Sequence, residues 1–202
     1  MKRLLGAVGL GLAWLAGVAS AQVIEVQSNG ISYQTLTKSG ITVMFNHLPG
    51  TLHQYAIVQV AISNGSQGSY IIRPEDFTFE RTDGAKIRAV PARVVIDMLR
   101  QKANGNDAIK LVTTYENAIY GSPHPLALKG WESRRQAAIA STGNKVTTSL
   151  IASALALVQT KLAVGDTTDG AIFFPTEGKA LGAGRLVVRT NTDVFEFNTE
   201  SN

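Results

Sequence analysis

The sequence predicts a mainly β protein with an α insertion: a β-sandwich plus a helical layer inserted between strands. Three observations lead there. Strand-like alternation runs from Val23 to about Pro91 and returns after Gly165. Between these flanks, apolar residues recur at helical spacing. Neither flank completes a sheet pair alone, so a single domain over residues 22–202, with the helical insertion at about 91–163, is preferred to two domains.

Taken in order, "VIEVQSNGISYQTLT" reads as one or two strands broken at Asn29-Gly30, and "GITVMFNHLPG" as a strand ending in a Pro49-Gly50 turn. "YAIVQVAISNGS" puts Ala56, Val58, Val60 and Ile62 on one face, with Tyr55, Ile57, Gln59 and Ala61 on the other, before Asn64-Gly65-Ser66 turns the chain. Phe77 and Phe79 share one face of the next strand. Asp83-Gly84 then supplies the positive-φ positions of a two-residue hairpin, and Ile87 returns inward between Lys86 and Arg88.

At Pro91 the period changes. "PARVVIDMLRQKANG" has Pro91 at the first helical position, Val94, Val95, Met98 and Leu99 at helical spacing, and Asn104-Gly105 as a stop. Asp107 is placed to cap a second helix carrying Leu111, Val112, Tyr115 and Ile119. After a Pro-containing loop, Val146, Leu150, Ala154, Val158 and Leu162 recur every fourth residue, which predicts a helix to about Leu162 that is packed on several sides. "GDTTDG" reads as a polar loop leading to a strand from Ala171 to Phe174 stopped by Pro175, and "GRLVVRTNTDVFEFNTE" as a hairpin with Leu186 and Val188 against Phe195 and Phe197.

The first residues point to a compartment. Lys2 and Arg3 precede an apolar run from Leu4 to Val18 and then Ala19-Ser20-Ala21, the pattern of a cleaved secretory signal over residues 1–21. The run is shorter than the roughly 20 residues a membrane span needs. The expected location is extracytoplasmic, periplasmic or secreted, with no membrane span in the mature chain. Lys2 and Arg3 leave with the signal, so part of the formal charge of +4 belongs to targeting. No basic cluster with interleaved aromatics suggests nucleic acid. The absence of cysteine excludes a lipoprotein anchor, disulfides and thiolate metal sites.

Two blocks, "VQVAISNGSQGSYIIRPEDFTFERTDGAKIRAV" and "LAVGDTTDGAIFFPTEGKALGAGRLVV", resemble telokin-like, immunoglobulin-like extracytoplasmic domains of bacteria, many of unknown function. Pro74, Asp76, Phe77, Asp83 and Gly84 match the first part of that pattern. Gly165, Gly170, Phe174 and Pro175 match the second. The resemblance implies an immunoglobulin-like β-sandwich and supplies structural motifs rather than catalytic ones.

Candidate chemistry is sparse. Glu75, Asp76 and Asp83 are expected to serve a corner and a turn, because adjacent strand residues point to opposite faces and an aspartate at a corner accepts backbone N–H bonds. His47 and His53 flank the Pro-Gly pair, and His124 lies apart; none has the spacing of a metal set. Asp166 and Asp169 lack a calcium-loop spacing. No Gly-x-Ser-x-Gly, Ser-x-x-Lys or phosphate-binding loop occurs. No catalytic, cofactor-binding or metal residue is therefore assigned, no cofactor is expected, and the chain is not expected to be an enzyme. The expected function is a non-enzymatic binding or envelope-associated module with a protein partner. The alternative is a small-molecule or lipid binder using an apolar pocket between sandwich and helices.

Overall fold

The structure, a computed structural model, describes residues 22–28, 31–103, 107, 111 and 152–199, with the backbone alone for His47–Gly50 and for Val26, Ser28, Ile31 and Ser32. The elements complete within the described residues, besides a short 3-10 turn at Pro74–Asp76, are β1 (Ile24–Ser28), β2 (Ile31–Lys38), β3 (Ile41–Leu52), β4 (Tyr55–Asn64), β5 (Tyr70–Ile72), β6 (Phe77–Arg81), β7 (Lys86–Arg88), α1 (Ala92–Lys102), β8 (Thr160–Leu162), β9 (Thr167–Pro175), β10 (Gly184–Arg189) and β11 (Val194–Thr199). All named pairs are antiparallel. One sheet has the order β1-β2-β3-β4-β9, a second β11-β10-β6-β7, and β5 pairs with β8.

The first two sheets enclose one apolar core, an arrangement consistent with a β-sandwich. Val43, Phe45, Val58, Val60, Ile62, Ile172 and Phe174 from the first meet Phe77, Phe79, Leu186, Val188, Phe195 and Phe197 from the second. Aromatic edges lock the faces together: Phe45 meets Phe197 at 5.0 Å between centroids, and Phe79 meets Phe174 at 6.3 Å, both edge-to-face. The hairpin registers Leu186↔Phe197 and Val188↔Phe195 match the alternation in the sequence. β4 follows its alternation as well. Its Ala56, Val58, Val60 and Ile62 enter this core, while Tyr55 and Ile57 enter a second cluster with Val95 and Leu99 of α1, Leu111, Leu155 and Phe173. A strand covered on both faces reads as nearly continuous apolar text, as β4 does.

Several local expectations are corrected. Pro49-Gly50 lies inside β3, at a register shift between His47 and Thr51, and the chain turns instead at His53-Gln54. Proline lacks a ladder donor, so a bulge tolerates it where a regular strand does not. The β6–β7 hairpin has a three-residue loop, Thr82-Asp83-Gly84, closed by Gly84 N–H to Arg81 C=O at 3.0 Å and Arg81 N–H to Ala85 C=O at 2.8 Å. Only Gly84, at φ +88°, takes the left-handed conformation, so this is a turn followed by a glycine bulge and not a two-residue loop.

Pro91 occupies the N-cap of α1 and not its first helical position, and Val94 is exposed while Ala92, Val95 and Leu99 are buried. The helix ends at Lys102, with Ala103 as its C-cap; Asn104-Gly105 lies outside the described residues. The predicted helix to Leu162 stops earlier. Ala152–Leu155 is helical, but Val158 is exposed and Leu162 is buried in β8; Val146 and Leu150 lie outside the described residues. Leu157 N–H donates to Ala171 C=O at 2.8 Å, so the chain has left the helix to pair with β9. β9 itself begins at Thr167, inside the predicted loop.

That pairing explains Gly170, one of the motif glycines. A Cβ there would lie 2.6 Å from the Leu157 nitrogen, so only glycine lets the returning chain approach. No described helix is long and apolar enough to cross a membrane.

Candidate functional site

The carboxylates singled out by the sequence are engaged by backbone. Pro74–Asp76 forms a short 3-10 turn. Asp76 Oδ2 accepts Arg73 N–H at 2.8 Å, and Asp83 Oδ1 accepts Ala85 N–H at 2.9 Å. Partial burial raises the Asp76 pKa, against the lowering effect of the Arg73 bond. Arg88 Nε donates to the Glu75 carbonyl at 2.7 Å, tying β7 to this corner. Asp166 Oδ2 accepts Ala163 N–H at 2.8 Å across the β8–β9 turn, while Asp169 sits within β9. Among the described residues, no three of these groups with histidine form a metal-binding set.

Of the three histidines, only His53 has a described side chain. His53 stands at the β3–β4 turn with φ +52° and its Nε2 lies 2.9 Å from Asp107 Oδ2, in helical backbone beyond α1. The His47 side chain and His124 lie outside the described residues. The His53–Asp107 pair escaped sequence reading because 54 residues separate its members. A carboxylate at one ring nitrogen orients an imidazole, and here it also joins the turn to the segment after α1.

A second polar constellation lies on the outer face of the β6–β7–β10–β11 sheet. Glu80 contacts Lys86 Nζ at 2.9 Å and Arg185 at 2.7 Å, and Arg185 reaches Glu196 at 2.9 Å. Lys86 and Arg185 pull the Glu80 pKa from 4.5 to about 2. The native state therefore binds this proton more weakly than the unfolded chain. Its stabilising contribution is complete above 4.5 and is lost as pH falls through about 2. A Glu80→Gln variant is expected to lose stability at pH 7 and to converge with the parent in acid-titrated unfolding near pH 2. A constant difference between them down to that pH would contradict this coupling.

The remaining functional candidate is a sheet edge. An edge strand offers backbone donors and acceptors to any extended chain, and proteins usually blunt it. The edges here differ in that respect. β9 is covered where Val90 N–H donates to Phe173 C=O at 2.9 Å and Leu157 to Ala171 at 2.8 Å. On β11, Lys38 Nζ donates to the Val194 carbonyl at 2.6 Å and Gln34 Nε2 to the Asn198 carbonyl at 2.7 Å. β7 has three residues, two of them Lys86 and Arg88. β1 contrasts with all of these. It pairs with β2 from Ile24↔Thr35 to Ser28↔Ile31, and among the described residues no further strand pairs with its outer edge. Val23 is 38% and Ile24 61% exposed beside it. Comparison of the chain with protein-family models, with curated proteins and with solved structures finds no match to any of them.

Proposed function

We propose that this chain is an extracytoplasmic, non-enzymatic protein-interaction module of the cell envelope, an immunoglobulin-like sandwich with a helical insertion, which receives an extended segment of a partner along β1. The observation that carries this reading is the contrast between β1 and the covered or shortened edges of β9, β11 and β7. Strand addition takes its affinity from main-chain hydrogen bonds and its specificity from alternate side chains. Exposed Ile24 supplies an apolar contact beside that edge. The signal-like residues 1–21 support export, and β1 begins two residues after the expected new N-terminus at Gln22.

The test is photo-crosslinking in the exporting cell from a reactive residue at Gln27, with one at Asp97 on α1 as the control. A discrete adduct is expected from Gln27 alone. Backbone N–H groups alternate between the two sides of a strand, so of Val26→Pro and Gln27→Pro one disturbs the β1–β2 ladder and the other only the outer edge. The outer-edge variant is expected to keep its unfolding midpoint and lose the adduct. Equal labelling from Gln27 and Asp97, or an adduct that survives both prolines, would remove the reading.

A further inference from the structure

Asn64 is followed by Gly65, the dipeptide in which an asparagine amide converts most readily to a carboxylate, because no side chain shields the next backbone nitrogen. The fold requires both residues. A Cβ on Gly65 would lie 3.0 Å from the Gly40 carbonyl oxygen, and one on Gly40 would lie 2.9 Å from the Ser66 backbone, so the β2–β3 turn and the β4–β5 loop approach each other through glycine. Asn64 is fully buried beside them. Its Nδ2 donates to the Gly68, Leu162 and Ala163 carbonyls, and its Oδ1 accepts from the Ser66 N–H and hydroxyl. A short side chain that donates and accepts in this way is an amide.

The same contacts hold the conversion back. For the ring to close, the Gly65 nitrogen loses its proton and bonds to Asn64 Cγ, while the Cγ–Nδ2 bond breaks and the departing nitrogen takes up a proton to leave as ammonia. Water then opens the cyclic imide to aspartate or isoaspartate. In the folded chain the Gly65 N–H is donated to the Gly40 carbonyl at 2.8 Å. Nδ2 faces three carbonyls, which accept protons and supply none. Ser66 polarises the amide carbonyl, but the nucleophile and the leaving group are both tied.

We propose that Asn64-Gly65 is a latent modification site, which deamidates only when the β4–β5 loop and the β8–β9 turn part, and whose product prevents them from closing again. After conversion to aspartate, a carboxylate oxygen stands where Nδ2 faced three carbonyls, and the donor that joined loop to turn is gone. In the isoaspartate the main chain runs through Cγ, so the carbonyl that accepts from Gly165 N–H becomes a carboxylate off the chain. Opening is reversible until the ring closes and permanent afterwards, so the working lifetime of the protein is set by how often this corner opens. This inference is independent of β1, because it concerns covalent lifetime and not partner binding.

The experiment uses the full chain with Asn29→Gln and Asn104→Gln, which leave Asn64-Gly65 as its one Asn-Gly pair. It is incubated in mildly alkaline buffer with and without denaturing urea, and the peptide carrying Asn64 is followed by mass spectrometry. Conversion is expected to be at least about 100-fold slower in native buffer than in urea, because it waits on opening. Adding Asp166→Ala, which removes the carboxylate that holds Ala163 N–H at 2.8 Å, is expected to raise the native rate several-fold and leave the rate in urea unchanged. Should that variant fail to fold, urea below the unfolding midpoint takes its place and is expected to give the same rise. Chain converted in urea and returned to native buffer is expected to unfold at a lower urea midpoint than unconverted chain treated in parallel for a shorter time. Comparable rates with and without urea would overturn the proposal. So would a native rate unmoved by loosening the turn, or converted chain that recovers the unconverted midpoint.

Discussion

Phe174→Ala is expected to lower unfolding stability by about 3–5 kcal/mol, the cost of emptying a buried aromatic site in a close-packed core. Phe174 is fully buried near the C-terminal end of β9, opposite Ala56 of β4, and its ring meets Phe79 of the other sheet edge-to-face. It therefore joins both layers. The small Ala56 beside it cannot fill the space by a change of rotamer. Domains hold only about 5–15 kcal/mol in total, so the variant should be close to unfolding at 37 °C. Urea denaturation reads the effect, with Phe174→Leu as the milder control. A loss below about 1 kcal/mol would mean that the sheets collapse onto the gap, against the packing described.

The second large effect is expected at Asn64, fully buried at the end of β4. Its Nδ2 donates to the carbonyls of Gly68 at 2.8 Å, Ala163 at 3.1 Å and Leu162 at 3.2 Å. Its Oδ1 accepts Ser66 N–H at 3.0 Å and Ser66 O–H at 2.6 Å. Its backbone N–H reaches Asp166 at 2.9 Å, and its carbonyl accepts from Gly165 at 2.7 Å. One side chain thereby holds the β4–β5 loop against the β8–β9 turn.

Asn64→Asp keeps the shape but turns a carboxylate oxygen toward three carbonyls, and should cost about 3 kcal/mol or more at neutral pH. The sign with pH is definite. The introduced carboxyl would have a raised folded pKa, so the native state would bind the proton more tightly and the penalty should shrink as pH falls. Thermal unfolding of parent and variant across pH 4–8 checks it. A pH-independent difference would show that charge is not the cause.

The sequence by itself determined the parts of the fold whose cause is local. Alternation alone places Val58, Val60 and Ile62 on one face of β4, and Leu186 and Val188 against Phe195 and Phe197, because the strand period is a property of the backbone. The turn roles of Asp76, Asp83 and Gly84 were legible for the same reason: each serves a residue no more than three positions away.

What only the tertiary structure decided depends on partners distant in the chain. Pro49-Gly50 carries a turn signature, yet β3 continues through it because β4 extends to Tyr55 on the far side of the bulge. The four-residue repeat ending in Val158 and Leu162 suits a helix, yet those residues leave it once Leu157 finds the Ala171 carbonyl, a partner Gly170 makes approachable. His53 meets Asp107, and Asn64 meets Leu162 and Ala163, across separations no local period encodes. The edge of β1 is of this second kind. A strand becomes an edge only through what the rest of the chain places beside it.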